Sequence, residues 1–305
     1  MQKESDNIYL DPEVVSRLPK AHYSIPEPVL LEFSNIILST LIKDFPSEQR
    51  YLILEMGIGT GKTGIPMALQ GGKYNATVYG FDNSRAMISI LHKLVTQKMD
   101  IPNLKYILAD AESPYLSFRD NTFHACSLVY FLHHILDWQK CLEEALRVLK
   151  PNGVIVFAKE VSQWTYFIDA NFSLTELENP HELLFRFWSY YHQQRDSIVE
   201  IPFKSNTRLF SATNYTNVFQ YLQGKGMSAI KIQKNQKMRW KRKFDFKTIL
   251  EIIKHGDYPP LALGLTKSQM IYLANTMQAF LIHEEVDINE EIVIDSWIET
   301  CLLKE

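Results

Sequence analysis

The chain of 305 residues distributes its apolar positions in two periods. Short apolar runs closed by turn residues fall at 52–54, 77–81, 105–109, 123–130 and 154–158. Between them, apolar residues recur at helical spacing: Met87, Ile88, Leu91 and Val95 after Ser84, then Cys141, Leu142, Ala145, Leu146 and Leu149 after Asp137. Strands alternating with helices of this length predict an α/β protein with a parallel sheet covered by helices on both faces. Further along, Met227–Gln233 and Ile292–Leu303 read as two more strands. Pro28–Leu41 reads as a helix with Val29, Leu30, Phe33, Ile36 and Ile37 inward.

The first run ends in Glu55 and is followed by Gly57, Gly59 and Gly61 at alternate positions, then by the start of a helix. A strand, a tight turn and a helix N-terminus in this order form the layout that holds an adenosine-containing ligand. Three loop patterns compete for it. A phosphate-cradling P-loop needs a glycine five residues before Gly61, where Met56 stands. The dinucleotide pattern G-x-G-x-x-G, read from Gly57, needs glycine where Lys62 stands. The pattern [Asp/Glu]-x-G-x-G-x-G fits from Glu55 to Gly61 without exception.

On these residues, and on the motif order from about 50 to 160, the chain resembles the class I S-adenosylmethionine-dependent methyltransferases. The branch it is most similar to includes the ubiquinone and menaquinone methyltransferases. The resemblance implies a doubly wound, Rossmann-like, seven-stranded sheet whose last strand is antiparallel, with helical lid insertions. It implies S-adenosyl-L-methionine as co-substrate and no metal. Glu55, Gly57, Gly59 and Gly61 would hold the methionine end, since glycines let the backbone approach a ligand closely. Asp82, at the end of the second strand, would take the ribose hydroxyls, with Asn83 and Met87 beside the adenine. Asp110 would accept from the adenine amino group, the backbone of Ala111 would read the ring, and Tyr130 would lie under the methionine part. The donor carries no phosphate, so Lys62 can face solvent from the first helical turn. Two departures from the family pattern stand out. Pro151-Asn152-Gly153 replaces Pro-Gly-Gly, which asparagine tolerates in a turn. His124 replaces an aspartate at the strand end away from the ligand.

The remaining chain divides into an N-terminal helical cap (1–45), the donor-binding half (46–160) and a third part (161–305) that completes the sheet and carries lid insertions at 161–210 and 236–285. The insertion at 161–210 is rich in rings, including Trp164, Phe187, Trp188, Tyr190 and Tyr191. Such a cluster suits a dry pocket for an aromatic or terpenoid-sized molecule, or it joins a lid to its core. The run Lys234–Lys243 places Lys237, Arg239 and Lys241 alternately with Met238 and Trp240, the pattern of a strand with one wet face.

Composition narrows the partners. A net charge of −3 and a pI near 6.3 give no global attraction to nucleic acid. The longest apolar runs fall far short of a membrane span, and the polar start Met1–Asp6 predicts no signal peptide. Cys126, Cys141 and Cys301 lack metal-ligand spacing and read as reduced core residues of a cytoplasmic protein. A homodimer is compatible with the resemblance.

Methyl transfer from a sulfonium is an in-line displacement, so orientation supplies much of the rate. A base is needed where the acceptor must lose a proton. Tyr23 and the pair His133 and His134, just after the fourth strand, are the candidate catalytic groups. Glu160, Trp164, Trp188, Tyr191, His192 and Tyr23 are the candidate substrate contacts. The expected reaction is methyl transfer to an oxygen or nitrogen of an apolar, aromatic small molecule, a secondary metabolite or quinone-like compound. A donor-binding protein with another reaction, or a methyltransferase acting on a macromolecule, would share the same donor motifs.

Overall fold

The computed structural model describes residues 25–98, 100–113, 116–132, 135, 137–162, 181–199, 215–233, 236–257 and 264–304. Its strands are β1 (Tyr51–Met56), β2 (Ala76–Asp82), β3 (Leu104–Leu108), β4 (Phe123–Val129), β5 (Leu149–Ser162), β6 (Ser228–Gln233), β7 (Arg239–Phe244) and β8 (Ile292–Lys304). Its helices are α1 (Glu27–Asp44), α2 (Gly64–Gly71), α3 (Arg85–Lys98), α4 (Trp138–Val148), α5 (Glu182–Ile198), α6 (Tyr215–Gly224), α7 (Phe246–His255) and α8 (Lys267–His283).

The strand order is β3-β2-β1-β4-β5-β8-β6, with β7 added on β8. β1 to β5 run parallel, and β6 pairs antiparallel with β8. This is the expected seven-stranded sheet with its antiparallel last strand, plus one short strand that the alternation at 237–241 had marked. β1 is central, which explains its nearly unbroken apolar run: Tyr51, Ile53, Leu54 and Met56 are buried between two layers of helices.

Contacts divide the chain into two compact units. The larger comprises 25–159, 209–239 and 298–305. Its core joins Leu54, Met56, Phe123, Leu128, Leu142 and Phe157. Helix α1 belongs to it: Val29, Leu30, Phe33, Ile37 and Leu41 recur at helical spacing and are buried. Asp137 caps α4 by accepting from the Lys140 amide at 3.3 Å. All three cysteines are buried free thiols in this unit's core, and burial pushes Cys301 up to about 11.

The smaller unit comprises 1–24, 160–208 and 240–297. Helices α5, α7 and α8 build its core from Leu184, Phe187, Trp188, Ile249, Leu273 and Met277. Asp245 caps α7 through the Thr248 amide at 2.7 Å. Thr266 and Gln269 form a reciprocal capping box on α8. Along β7 the wet face carries Lys241 and Lys243, which pair with Asp295 (3.6 Å) and Glu291 (2.8 Å). The basic run is thus balanced by carboxylates. Among the described residues no helix is long and apolar enough to cross a membrane.

Candidate functional site

The register of the parallel strands brings the donor motifs to one edge. Glu55 pairs with Gly80 of β2 and with Ser127 of β4; Asp82 pairs with Leu108 of β3; Val129 pairs with Ala158 of β5. Strand ends aligned in this way place the Gly57–Gly61 turn, Asp82–Asn83, Asp110–Ala111 and Tyr130 along the carboxyl edge of the sheet, where ligands of open α/β folds bind.

The glycine turn shows why it needs three glycines. Gly57, Gly59 and Gly61 all have positive φ, at +72°, +55° and +84°. Their surroundings differ. A Cβ on Gly57 would lie 2.1 Å from a ring carbon of Phe131, and one on Gly61 would lie 2.6 Å from Leu91. Around the corresponding point on Gly59 there is nothing within 4 Å. Gly57 and Gly61 therefore let the turn pack inward, while Gly59 presents backbone toward open space. That is the cradle a ligand backing onto the loop requires.

Asp82 is tied to this turn. Its Oδ2 accepts from the Gly59 amide at 3.0 Å and its Oδ1 from the Ser84 amide at 2.8 Å. Partial burial raises its pKa, opposed by those two amide bonds. Each carboxylate oxygen has more than one acceptor position, so the residue retains capacity for hydroxyl donors. The geometry fits a vicinal diol such as that of a ribose.

Glu55 sits beneath the turn rather than in it. Its side chain is 1% exposed, Thr63 Oγ1 donates to Oε1, and Oε2 lies against Gly64 with no hydrogen-bond partner. Desolvation pushes its pKa up to about 8, against the lowering effect of the Thr63 hydroxyl. Glu55 and Thr63 thus brace the turn from both ends.

The other expected donor contacts fall as follows. Asn83 is exposed and Met87 is buried on the inner side of α3. Asp110 is exposed, with Oδ1 accepting from the Glu112 amide at 2.9 Å, and Ala111 is buried. Tyr130 adopts positive φ (51°) and its amide donates to Ala158 O at 3.2 Å. Tyr23, His133, His134 and Trp164 lie outside the described residues. His124 is held at the opposite strand end, where its Nδ1 accepts from the Leu52 amide at 3.0 Å.

The candidate substrate contacts of the smaller unit have clear positions. Trp188 and Tyr191 are 1% and 0% exposed and pack edge to face in that unit's core. His192, next to Tyr191, is half-buried. Glu160 accepts from the buried Arg242 of β7. Arg242 falls on the dry side of β7 between Trp240 and Phe244, so its charge requires a buried carboxylate. Sequence reading missed three partners: Thr63, Phe131 and Arg242. The alternation along β7 signalled the third; nothing in the chain pattern marks the ring of Phe131 as the cover of Gly57. Among the described residues, no group of three or more His, Cys, Asp or Glu could hold a metal ion.

A family model described as a methyltransferase domain matches residues 54–157. Over this third of the chain the sequence is similar to methyltransferase domains. Among curated proteins, the chain is 33% identical over 113 residues to a ubiquinone/menaquinone biosynthesis C-methyltransferase of Idiomarina loihiensis, spanning 36% of this chain and 44% of that protein. It is 33% identical over 107 residues to a demethylmenaquinone methyltransferase of Paenarthrobacter aurescens, spanning 35% and 38%. The chain thus spans less than half the length of these relatives. Among solved structures, the YcgJ protein of Bacillus subtilis superposes with a TM-score of 0.48 at 15% identity, covering 89% of this chain and 98% of that one.

Proposed function

We propose that the protein transfers a methyl group from S-adenosylmethionine to a quinone-like aromatic small molecule. The observation that carries this reading is the open backbone at Gly59 with the Asp82 carboxylate fastened to it. Gly57, Gly59 and Gly61 would receive the methionine part, Asp82 the ribose hydroxyls, and Met87, Asp110 and Ala111 the adenine. The donor brings an already activated sulfonium leaving group. The protein's own work is to orient donor and acceptor and to keep water from the cleft.

The sequence pointed to an oxygen or nitrogen acceptor. Two relatives acting in quinone biosynthesis, one of them named a C-methyltransferase, favour an activated ring carbon instead. A ring carbon must lose its proton after the new bond forms. We assign that proton to a group following β4 or on the N-terminal segment, with His133, His134 and Tyr23 as candidates. A panel of hydroxylated quinols incubated with methyl-labelled donor tests the reading. A product with label on a ring carbon supports it; label on oxygen or nitrogen returns the acceptor to the earlier expectation. No product from any quinol, with label transferred to another small molecule, overturns the substrate class.

Donor binding is tested separately. S-adenosylhomocysteine at one hundred times its dissociation constant should stabilise the fold by about 2.7 kcal/mol, read as a raised melting temperature, whereas ATP with Mg²⁺ should give none. The reverse pattern would restore the P-loop alternative. Asp82→Ala should weaken donor affinity by about 1.5–3 kcal/mol, the range for hydrogen bonds to a charged group, as measured by calorimetric titration. A folded Asp82→Ala protein with native affinity would remove Asp82 from the site.

A further inference from the structure

The segment from β3 to β4, residues 109–122, crosses from the edge strand to the middle of the sheet, and no regular secondary structure is assigned to its described residues. Loops of this length that lack internal hydrogen-bond ladders must find partners elsewhere, and they are commonly functional. Its first residues are the ones proposed above to read the adenine, Asp110 and Ala111. The Ala109 amide still continues the sheet by donating to Asp82 O at 3.0 Å, and the Ser113 amide closes a turn on Asp110 O. Glu112 Oε1 accepts from the Asp137 amide at 3.1 Å. At its far end the Asn121 and Thr122 amides donate to the Arg147 and Val148 carbonyls, at 3.1 and 2.8 Å, and between Leu116 and Asp120 two side chains of α4 hold the loop.

Glu144, 6% exposed, accepts from the Leu116 amide at 2.5 Å. Arg147 reaches the same loop from one turn further along the helix. Its Nη2 donates to Phe118 O at 2.9 Å and to Leu116 O at 3.2 Å, and its Nη1 donates to Asp120. Nε donates to Glu144 Oε2 at 2.7 Å, and Nη2 also meets Glu144 Oε1, so the two side chains form a fork. The bonds to Glu144 first, and that to Asp120, raise the pKa of Arg147 above its ordinary value. One planar guanidinium thus fixes both carbonyls and the terminal carboxylate of the loop. A lysine, with a single point charge, cannot satisfy that set. Leu116 and Ala111 lie in the same apolar cluster, so displacement of one end is transmitted to the other through packing.

We infer that Glu144 and Arg147 are positioning residues for donor binding: a fork on α4 that sets the adenine-reading turn at Asp110–Ala111 in place. The inference rests on the donor placement proposed above. Neither residue lies in that turn, and the effect runs through the apolar cluster that Leu116 shares with Ala111.

The test uses the full chain and S-adenosylhomocysteine as probe. Arg147→Lys keeps the charge and removes the fork; Glu144→Gln keeps the side chain's size but turns one of its two acceptor oxygens into a donor, so one arm of the fork is lost. In each, the affinity should fall about five- to tenfold, a loss of the size expected for one ordinary hydrogen bond, because the effect is transmitted rather than direct. Amide exchange should accelerate in peptides covering 109–122 and stay unchanged in peptides covering β1 and α2. A purely structural role would lower the melting temperature and leave both the affinity of the folded fraction and the local exchange pattern unmoved, which would overturn the inference. Should both variants fail to fold, Asp120→Ala, which removes only the exposed outer strut, decides in the same way with a smaller loss, about twofold. Failure of the wild-type chain to bind the probe would instead sink the donor placement itself.

Discussion

Gly57→Ala is expected to abolish donor binding and to lower stability by about 2–5 kcal/mol. Two costs combine. A methyl group on a residue at φ +72° meets the left-handed steric penalty of roughly 1–2 kcal/mol. The same methyl lands 2.1 Å from the ring of Phe131, and overpacking of that kind costs roughly 1–3 kcal/mol. Relief requires Phe131 to leave its edge-to-face position against Phe81, at 6.4 Å between centroids, or the turn to open. Opening of the turn displaces the amide of Gly59 from Asp82. Gly59→Ala is the informative comparison. It carries the backbone penalty alone, because nothing lies within 4 Å of the added carbon, so its fold should survive with the smaller loss. Its methyl nevertheless projects into the space proposed for the donor. Urea unfolding should therefore rank the proteins wild type, Gly59→Ala, Gly57→Ala, with donor affinity reduced in both variants. A Gly57→Ala protein as stable as the wild type would show that Phe131 does not seal the turn.

The same comparison shows what sequence could and could not supply. The spacing of Glu55, the three glycines and Asp82 is legible because each position answers a backbone requirement: a strand end, a reversal of φ, a carboxylate within reach of the turn. Parallel pairing then fixes their convergence, since registers such as Glu55 with Gly80 and Asp82 with Leu108 follow once strand order is known. Partners from distant segments are a different matter. Phe131 reaches Gly57 only because β4 lies beside β1, and Arg147 reaches Leu116 only because α4 packs under the crossing loop. The aromatic residues of α5 illustrate a third limit. Rings at positions such as 187, 188 and 191 give one pattern whether they line a cleft or fill a core. The structure puts Trp188 and Tyr191 among Phe246, Ile249 and Met277, so these rings serve the interior of their own unit. Strand β7 marks the opposite case: its alternation was sufficient to identify the strand and its wet face, and burial of Arg242 on the dry face explains why Glu160 is ion-paired.

Glu55→Gln should remove a pH-dependent destabilisation that grows to roughly 5 kcal/mol between pH 4.5 and pH 8. In the folded chain the carboxyl group has its pKa pushed up to about 8, chiefly by desolvation, against 4.5 for an ordinary glutamate. The folded state therefore holds its proton where the unfolded state has released it. A carboxyl shifted in this direction contributes its stabilisation fully below pH 4.5. The contribution then falls by about 1.4 kcal/mol per unit as pH rises, and levels off above pH 8 once both states are ionised. Glutamine keeps an acceptor for Thr63 and never ionises, so its contribution is flat. The quantity to measure is the difference in unfolding free energy between Glu55→Gln and wild type, followed from pH 4.5 to pH 9. It isolates this group from surface carboxylates such as Glu48 and Glu143, whose pKa values are lowered and which titrate identically in both proteins. The difference should increase with pH in favour of glutamine. A flat difference would mean that Glu55 gains a partner for Oε2, either a cation or a bound water chain, that lets it ionise at its ordinary pH. The sign has a consequence for the donor. Near neutral pH a large fraction of Glu55 is a neutral acid under the turn, which leaves Asp82, fastened to the turn from β2, as the carboxylate that would act on a cationic donor. Removing the Asp82 charge should then weaken binding of the cationic donor more than that of its neutral thioether product, whereas Glu55→Gln should shift both affinities alike.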